Sequence, residues 1–183
     1  MVKQSVFFVV LMAMFSTIAS AQDAPKAELY GGYSAVFTQD FTLHGWQASI
    51  AGNLNNWFGM AAEFGGAYDS DTVFLGGSNI RRKSTLYSYL FGPRFSRRGG
   101  GRMTPFVHAL FGGVHAKAEV QGGVVNGDAT QNGFGMALGG GLDVKLTETV
   151  ALRVIQADYF LTRSQGDSVS NGRVSAGVVI RFK

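Results

Sequence analysis

The 183-residue sequence predicts an all-β fold, an eight-stranded antiparallel up-and-down transmembrane β-barrel. Three observations lead there. Segments of roughly 10 to 14 residues alternate between an apolar and a polar or small side chain, which is the period of a strand. The connectors alternate between turn-like and loop-like. After residue 21 no run of 18 apolar residues occurs, so helical spans are not encoded. A barrel escapes hydropathy because every second residue is polar or small.

The first strand is Glu28 to Thr38. Leu29, Tyr33, Ala35 and Phe37 share one face, and Glu28 and Ser34 the other. The second, Leu43 to Leu54, sets Trp46, Ala48 and Ile50 against Gln47, Ser49 and Asn53. Asn55-Asn56 suits a tight turn, because asparagine tolerates positive φ. The third, Trp57 to Tyr68, places Glu63 on its small-residue face. Asp69 to Ser84 reads as a long polar loop.

The fourth strand, Thr85 to Phe95, carries Tyr87, Tyr89 and Phe91 on one face, and Ser88 and Arg94 on the other. Pro93 cannot donate to a ladder and predicts a bulge or a strand end. Ser96 to Arg102 is a basic, glycine-rich turn. The fifth strand runs from Met103 to about Ala116, its facing set by His108, and Lys117 to Asn132 reads as a second long loop.

The sixth, Gly133 to Leu146, alternates glycines, alanine, Asp143 and Lys145 with large apolar residues. Its Gly139-Gly140-Gly141 marks a bulge or strong curvature. The seventh, Val150 to Thr162, gives conflicting signals. Gln156 and Asp158 share a parity with Val154, and Arg153 has the other. Gln156 and Asp158 are placed inside, with Arg153 at the periplasmic rim. After a loop from Arg163 to Asn171 comes the last strand, Arg173 to Lys183. Val174, Ala176, Val178, Ile180 and Phe182 form an apolar face opposite Arg173, Ser175, Gly177, Val179 and Arg181.

The ends fit export. Lys3, a ten-residue apolar run from Val6 to Phe15 and Ala19-Ser20-Ala21 form a leader with its cleavage site. Residues 1–21 are thus a signal peptide and 22–183 the barrel domain. The apolar run is too short for a span of about 20 residues. The chain has no cysteine, so disulfides cannot stabilise an exported domain. Its formal charge of +4 is scattered and no recognition helix is visible, which argues against nucleic acid.

Trp46, Trp57, Tyr68, Tyr87 and Tyr159 are placed to form interfacial aromatic girdles. The polar Ser175, then Gly177, Ile180 and Phe182, resembles the C-terminal assembly signal of bacterial outer-membrane barrels, with Lys183 as one residue beyond the usual end. With Gln156-Ala157-Asp158-Tyr159, the layout of 22–183 resembles the small OmpA/OmpX-type barrels. That resemblance implies an outer-membrane location, outer-membrane lipid and the assembly machinery as partners, and a monomer. The chain's end at Lys183 leaves no room for the peptidoglycan-binding domain of longer OmpA-type proteins.

Chemistry beyond this is sparse. No H-E-x-x-H and no cysteine suggest zinc. No serine follows a histidine by two residues, as in the hydrolases among such barrels, so no catalytic residue, metal or cofactor is assigned. The alternation places Glu28, Glu63, Asp143 and Asp158 inside with Arg94, Lys145, Arg173 and Arg181. Buried charges must pair or stay hydrated. Arg94, Arg181 and Asp143 should share a layer near the periplasmic end, with Glu63 higher. The chain is read as a structural or surface-interaction barrel, not an enzyme, whose lumen is closed by a plug of ion pairs; the alternative is a gated pore for small ions or solutes, and behind it a lipid-modifying enzyme. Arg81, Arg82 and Lys83 form either a solvated loop or a contact to lipid phosphate.

Overall fold

The computed structural model describes residues 24–38, 41–75, 78–122, 125–164 and 167–183. The leader lies outside the described residues. Eight strands follow in order: β1 (Ala27–Phe37), β2 (Thr42–Asn53), β3 (Phe58–Leu75), β4 (Ser78–Ser96), β5 (Met103–Gly122), β6 (Val125–Lys145), β7 (Val150–Ser164) and β8 (Asp167–Phe182). Each pairs antiparallel with the next, and β1 pairs with β8 to close the barrel. Closure leaves the barrel wall no unpaired edge.

The alternation decides which side each residue faces. Leu29, Ile50, Phe64, Phe91, Leu138 and Val178 point outward, each with more than two-fifths of its surface exposed. Their chain neighbours Glu28, Ser49, Glu63, Ala137 and Val179 are buried inside. This reverses a soluble core, with bulk outside and ions within.

Short turns close one end. The Asn55 side chain accepts from the backbone N–H of Trp57 at 2.9 Å and of Phe58 at 2.7 Å, which fixes the β2–β3 turn. Between β4 and β5, Gly100 has φ 72°, a conformation that glycine adopts without steric cost. Thr147 Oγ1 accepts from Val150 N–H at 3.0 Å between β6 and β7. By the rule for bacterial barrels this is the periplasmic end.

At the other end the structure corrects the sequence. Asp69–Ser84 and Lys117–Asn132 are not irregular loops. β3 runs on to Leu75 and β4 starts at Ser78, while β5 reaches Gly122 and β6 starts at Val125. The last loop also shrinks, with β7 reaching Ser164 and β8 starting at Asp167. Past the membrane both faces of a hairpin meet water. The ladder still satisfies its backbone, but no apolar alternation marks it.

β4 and β5 stay paired as far as Arg81 and Gln121, so β3 to β6 extend beyond the barrel as one four-stranded sheet. The β2–β3 ladder ends at His44 and Tyr68, and the β6–β7 ladder at Phe134 and Arg163. Beyond those pairs, no strand among the described residues covers the outer edges of β3 and β6.

Two further expectations change. Pro93 causes neither a bulge nor an end. The β3–β4 register runs through it, and only the β5 side lacks pairs at Gly92 and Pro93, where the ring removes a donor. The bulge lies not in the glycine triplet but opposite its end, in β7. There the register shifts between Arg153 and Gln156 on the β8 side, and at Leu142/Asp143 on the β6 side. Val154 and Ile155 both face out, at 42% and 49% exposure, so Arg153 and Gln156 both turn inward.

Candidate functional site

The lumen is the site. Its walls supply Glu28 from β1, Glu63 from β3, Arg94 from β4, Asp143 from β6, Arg153 and Asp158 from β7, and Arg173 and Arg181 from β8, all buried. Strand register sets part of the pairing. Asp143 and Arg153 are cross-strand partners, as are Asp158 and Arg173, and Glu28 and Arg181.

The lower layer lies toward the periplasmic end. Asp143, with no exposed surface, accepts from Arg153 Nε at 2.8 Å and from Arg94 Nη2 at 3.0 Å. Arg94 also reaches Glu28 at 3.0 Å, across the barrel interior. Arg181 contacts Glu28 at 3.3 Å rather than Asp143, because it lies opposite Glu28 on the neighbouring strand. The Arg153 guanidinium stacks over Tyr30 at 4.2 Å and over Phe106 at 4.3 Å. Arg153 is therefore at the centre of the plug and not at the rim, and the β7 bulge is the cause.

The upper layer joins Glu63, His108, Gln156, Asp158 and Arg173. Arg173 donates to Asp158 Oδ2 at 2.6 Å and to Glu63 Oε1. His108 Nε2 meets Asp158 Oδ1 at 2.8 Å. His108 is on β5 and Asp158 on β7, with Gly139 of β6 opposite both. A Cβ at Gly139 would stand 2.2 Å from Asp158 Oδ1. Glycine there lets the two side chains meet over the intervening strand. Gln156 ties the layers together, accepting from Arg153 at 2.7 Å and donating to Asp158 at 2.9 Å and Glu63 at 3.2 Å.

Toward the outer end the lumen becomes apolar. Val36, Leu43, Leu90, Leu110, Val114 and Phe160 pack together. A cavity of about 10 Å³ remains between this collar and Arg173, lined also by Ser34, Gln47 and Ser88. That is the scale of a single water.

Glu63, His108 and Asp158 bring three possible ligand atoms within 4.8 Å of one another. Both carboxylates already accept from Arg173, whose charge opposes a cation. These residues are too far apart in sequence for spacing to have shown the grouping. Arg98 was also missed. From the β4–β5 turn it donates to Asn53 Oδ1 at 3.0 Å and contacts Glu28 at 3.3 Å. A basic turn residue carries no strand parity, so nothing in the pattern pointed inward. Lys145 goes to the rim instead, donating to Glu148 at 2.9 Å.

The girdle residues lie in two groups. Trp46 Nε1 donates to Tyr68 at 3.4 Å, and Tyr68 to Tyr87 at 3.4 Å. Tyr159 is bonded to Ser170 at 2.6 Å nearby on β8. At the opposite end Trp57 stacks on Phe95 with centroids 6.0 Å apart. Arg81, Arg82 and Lys83 belong to β4, with Asp71 opposite Arg82 in the register; the side chains of Arg81 and Arg82 lie outside the described residues.

In the terminal strand Ser175 faces the lumen, and Ile180 and Phe182 face outward at 42% and 50% exposure. Phe182 closes β8 and Lys183 lies past it. Phe182→Ala is expected to reduce the amount of protein in the outer membrane several-fold while export continues, measured by fractionation and immunoblotting. Unchanged outer-membrane levels would remove Phe182 from assembly.

A closed antiparallel barrel with apolar side chains outside and paired ions inside is a transmembrane barrel of the bacterial outer-membrane class. The chain belongs to the outer membrane protein beta-barrel domain family, whose profile matches residues 7–182. No curated protein matches it.

Solved structures share the fold. Ail, the attachment invasion locus protein of Yersinia pestis, solved in complex with the heparin analogue sucrose octasulfate, is 22% identical with a TM-score of 0.62, covering 87% of this chain and 100% of its own. Neisserial surface protein A is 14% identical with a TM-score of 0.51, covering 85% and 96%. The N-terminal barrel of Pseudomonas aeruginosa OprF is 16% identical with a TM-score of 0.50, covering 87% and 100%.

Proposed function

We propose that the protein is a monomeric surface-interaction barrel of the outer membrane, sealed along its axis, that offers its projecting sheet to other macromolecules. On this reading residues 1–21 are removed on export and the assembly machinery reads the strand ending at Phe182. The observation that carries it is the division of the molecule at the outer girdle. Below it the lumen is filled by ion pairs and the apolar collar. Above it no strand among the described residues covers the outer edges of β3 and β6, and free edges are templates for pairing with another chain. Arg81, Arg82 and Lys83 on that sheet suit lipid phosphate as a second contact.

The test compares the full protein with a variant whose two long hairpins are cut back to short turns. Both should show no large steady conductance in planar bilayers, because the plug is retained. Only the full protein should bind immobilised protein from a surface the cell meets. A large, steady conductance in the full protein would replace this proposal with a small-solute channel. Equal binding by both forms would remove the sheet from the function.

A further inference from the structure

We infer that the periplasmic mouth of the lumen is a binding site for a small inorganic anion, held by Arg94, Arg98 and Arg181. The argument begins with charge. Glu28 is the shared partner of three guanidiniums: Arg94 at 3.0 Å, Arg98 at 3.3 Å and Arg181 at 3.3 Å. Arg94 leans also on Asp143, but Asp143 is already engaged by Arg153 at 2.8 Å. The lower layer thus sets four guanidiniums against two carboxylates. The upper layer offsets this only in part, since Glu63 and Asp158 exceed Arg173 by one charge. Buried positive charge in excess of its partners is costly unless an anion or water neutralises or solvates it.

Unpaired donors mark the place. Nε and Nη2 of Arg181, Nε of Arg94 and Nε of Arg98 are buried without hydrogen-bond partners. The Arg181–Glu28 contact is an ion pair without hydrogen-bond alignment, so Glu28 Oε1 and Arg181 Nε both lack one. Arg94 is 3% exposed and Arg181 is 9% exposed. Guanidiniums that reach one carboxylate from β4, β8 and the β4–β5 turn, with N–H groups to spare, suit a halide or a phosphate oxygen, since charge-assisted bonds are the strong ones. The site lies at the periplasmic end, where the turn carrying Arg98 closes the barrel and the Arg98 side chain is 11% exposed.

The experiment uses the full protein extracted from outer membranes in detergent, at fixed pH and ionic strength. Sodium gluconate is replaced stepwise by sodium chloride, sodium bromide or sodium phosphate. The readout is the temperature at which the folded gel mobility is lost. A saturable rise with halide identifies a monatomic site, and a rise with phosphate alone an oxyanion site; either supports the proposal. Arg98→Gln and Arg181→Gln should each raise the half-saturating concentration about tenfold, the scale of one lost charged hydrogen bond.

Arg102→Gln removes an exposed charge from the same turn and should leave the response in place. Equal melting in all four anions would overturn the site. So would equal loss of response in Arg102→Gln and Arg98→Gln, which is surface screening. Bromide-soaked crystals of the unaltered protein give an independent check. Where halide raises the melting temperature, an anomalous peak beside Arg181 is expected, and the absence of one there would overturn the proposal even if a variant failed to fold.

Discussion

Asp143→Asn is expected to lower the unfolding free energy by about 3–5 kcal/mol, the usual cost of removing one partner of a buried pair. Asn keeps the shape of Asp143 and removes its charge. Arg153 and Arg94 then lose their common anion at a position with no exposed surface. Arg153 is itself buried, with the rings of Tyr30 and Phe106 packed against its guanidinium. Arg94 keeps its contact to Glu28, but Glu28 already serves Arg94, Arg98 and Arg181 and makes no ion pair with Arg153, which is left without a carboxylate among the described residues.

The check is a urea titration of the detergent-folded protein, read by the fraction that keeps folded gel mobility. An unchanged midpoint would mean that the lower layer is fully hydrated. Glu148→Gln is the control. Glu148 is held below the ordinary carboxylate value by its bond from Lys145, but it stands in solvent. Exposed pairs contribute little, so its midpoint should not move.

Arg173→Met should be as damaging, again about 3–5 kcal/mol, and for the opposite reason. It leaves Glu63 and Asp158 facing each other without the cation that bridges them from β8 to β3. Methionine fills much of the space of the arginine stem, so lost packing is a minor part of the effect. The double variant Arg173→Met/Glu63→Gln separates charge from packing. It should recover part of the loss, because only one carboxylate stays unneutralised, with His108 and Gln156 still bonded to Asp158. A double variant less stable than the single one would show that Glu63 contributes through something other than its pairing with Arg173.

Side-chain alternation sets the architecture and most of the interior. Glu28, Glu63, Arg94, Asp143, Asp158, Arg173 and Arg181 all have inward parity, because a membrane strand has one face for lipid and one for the lumen. A charge on the wrong face would be exposed to hydrocarbon. Within the membrane that constraint acts on every second residue, so it is visible in the sequence. Above the membrane it ends. Asp69–Leu75 and Val125–Asn132 belong to strands only because neighbouring strands complete their ladders, and no side-chain rule records that.

Strand pairing and barrel closure set what parity cannot express. One extra residue in β7 turns both Arg153 and Gln156 inward, a two-for-one count fixed by pairing with β6 and β8. Gly139 carries no side chain, yet by lacking one it lets His108 reach Asp158 across β6. Arg98 enters the lumen from a turn, where no periodicity applies. Partner choice has the same origin. Alternation fixes the side of the wall on which a charge lies, but only barrel closure and strand tilt set which charges share a height. This is why Arg181 meets Glu28 and Asp143 meets Arg153.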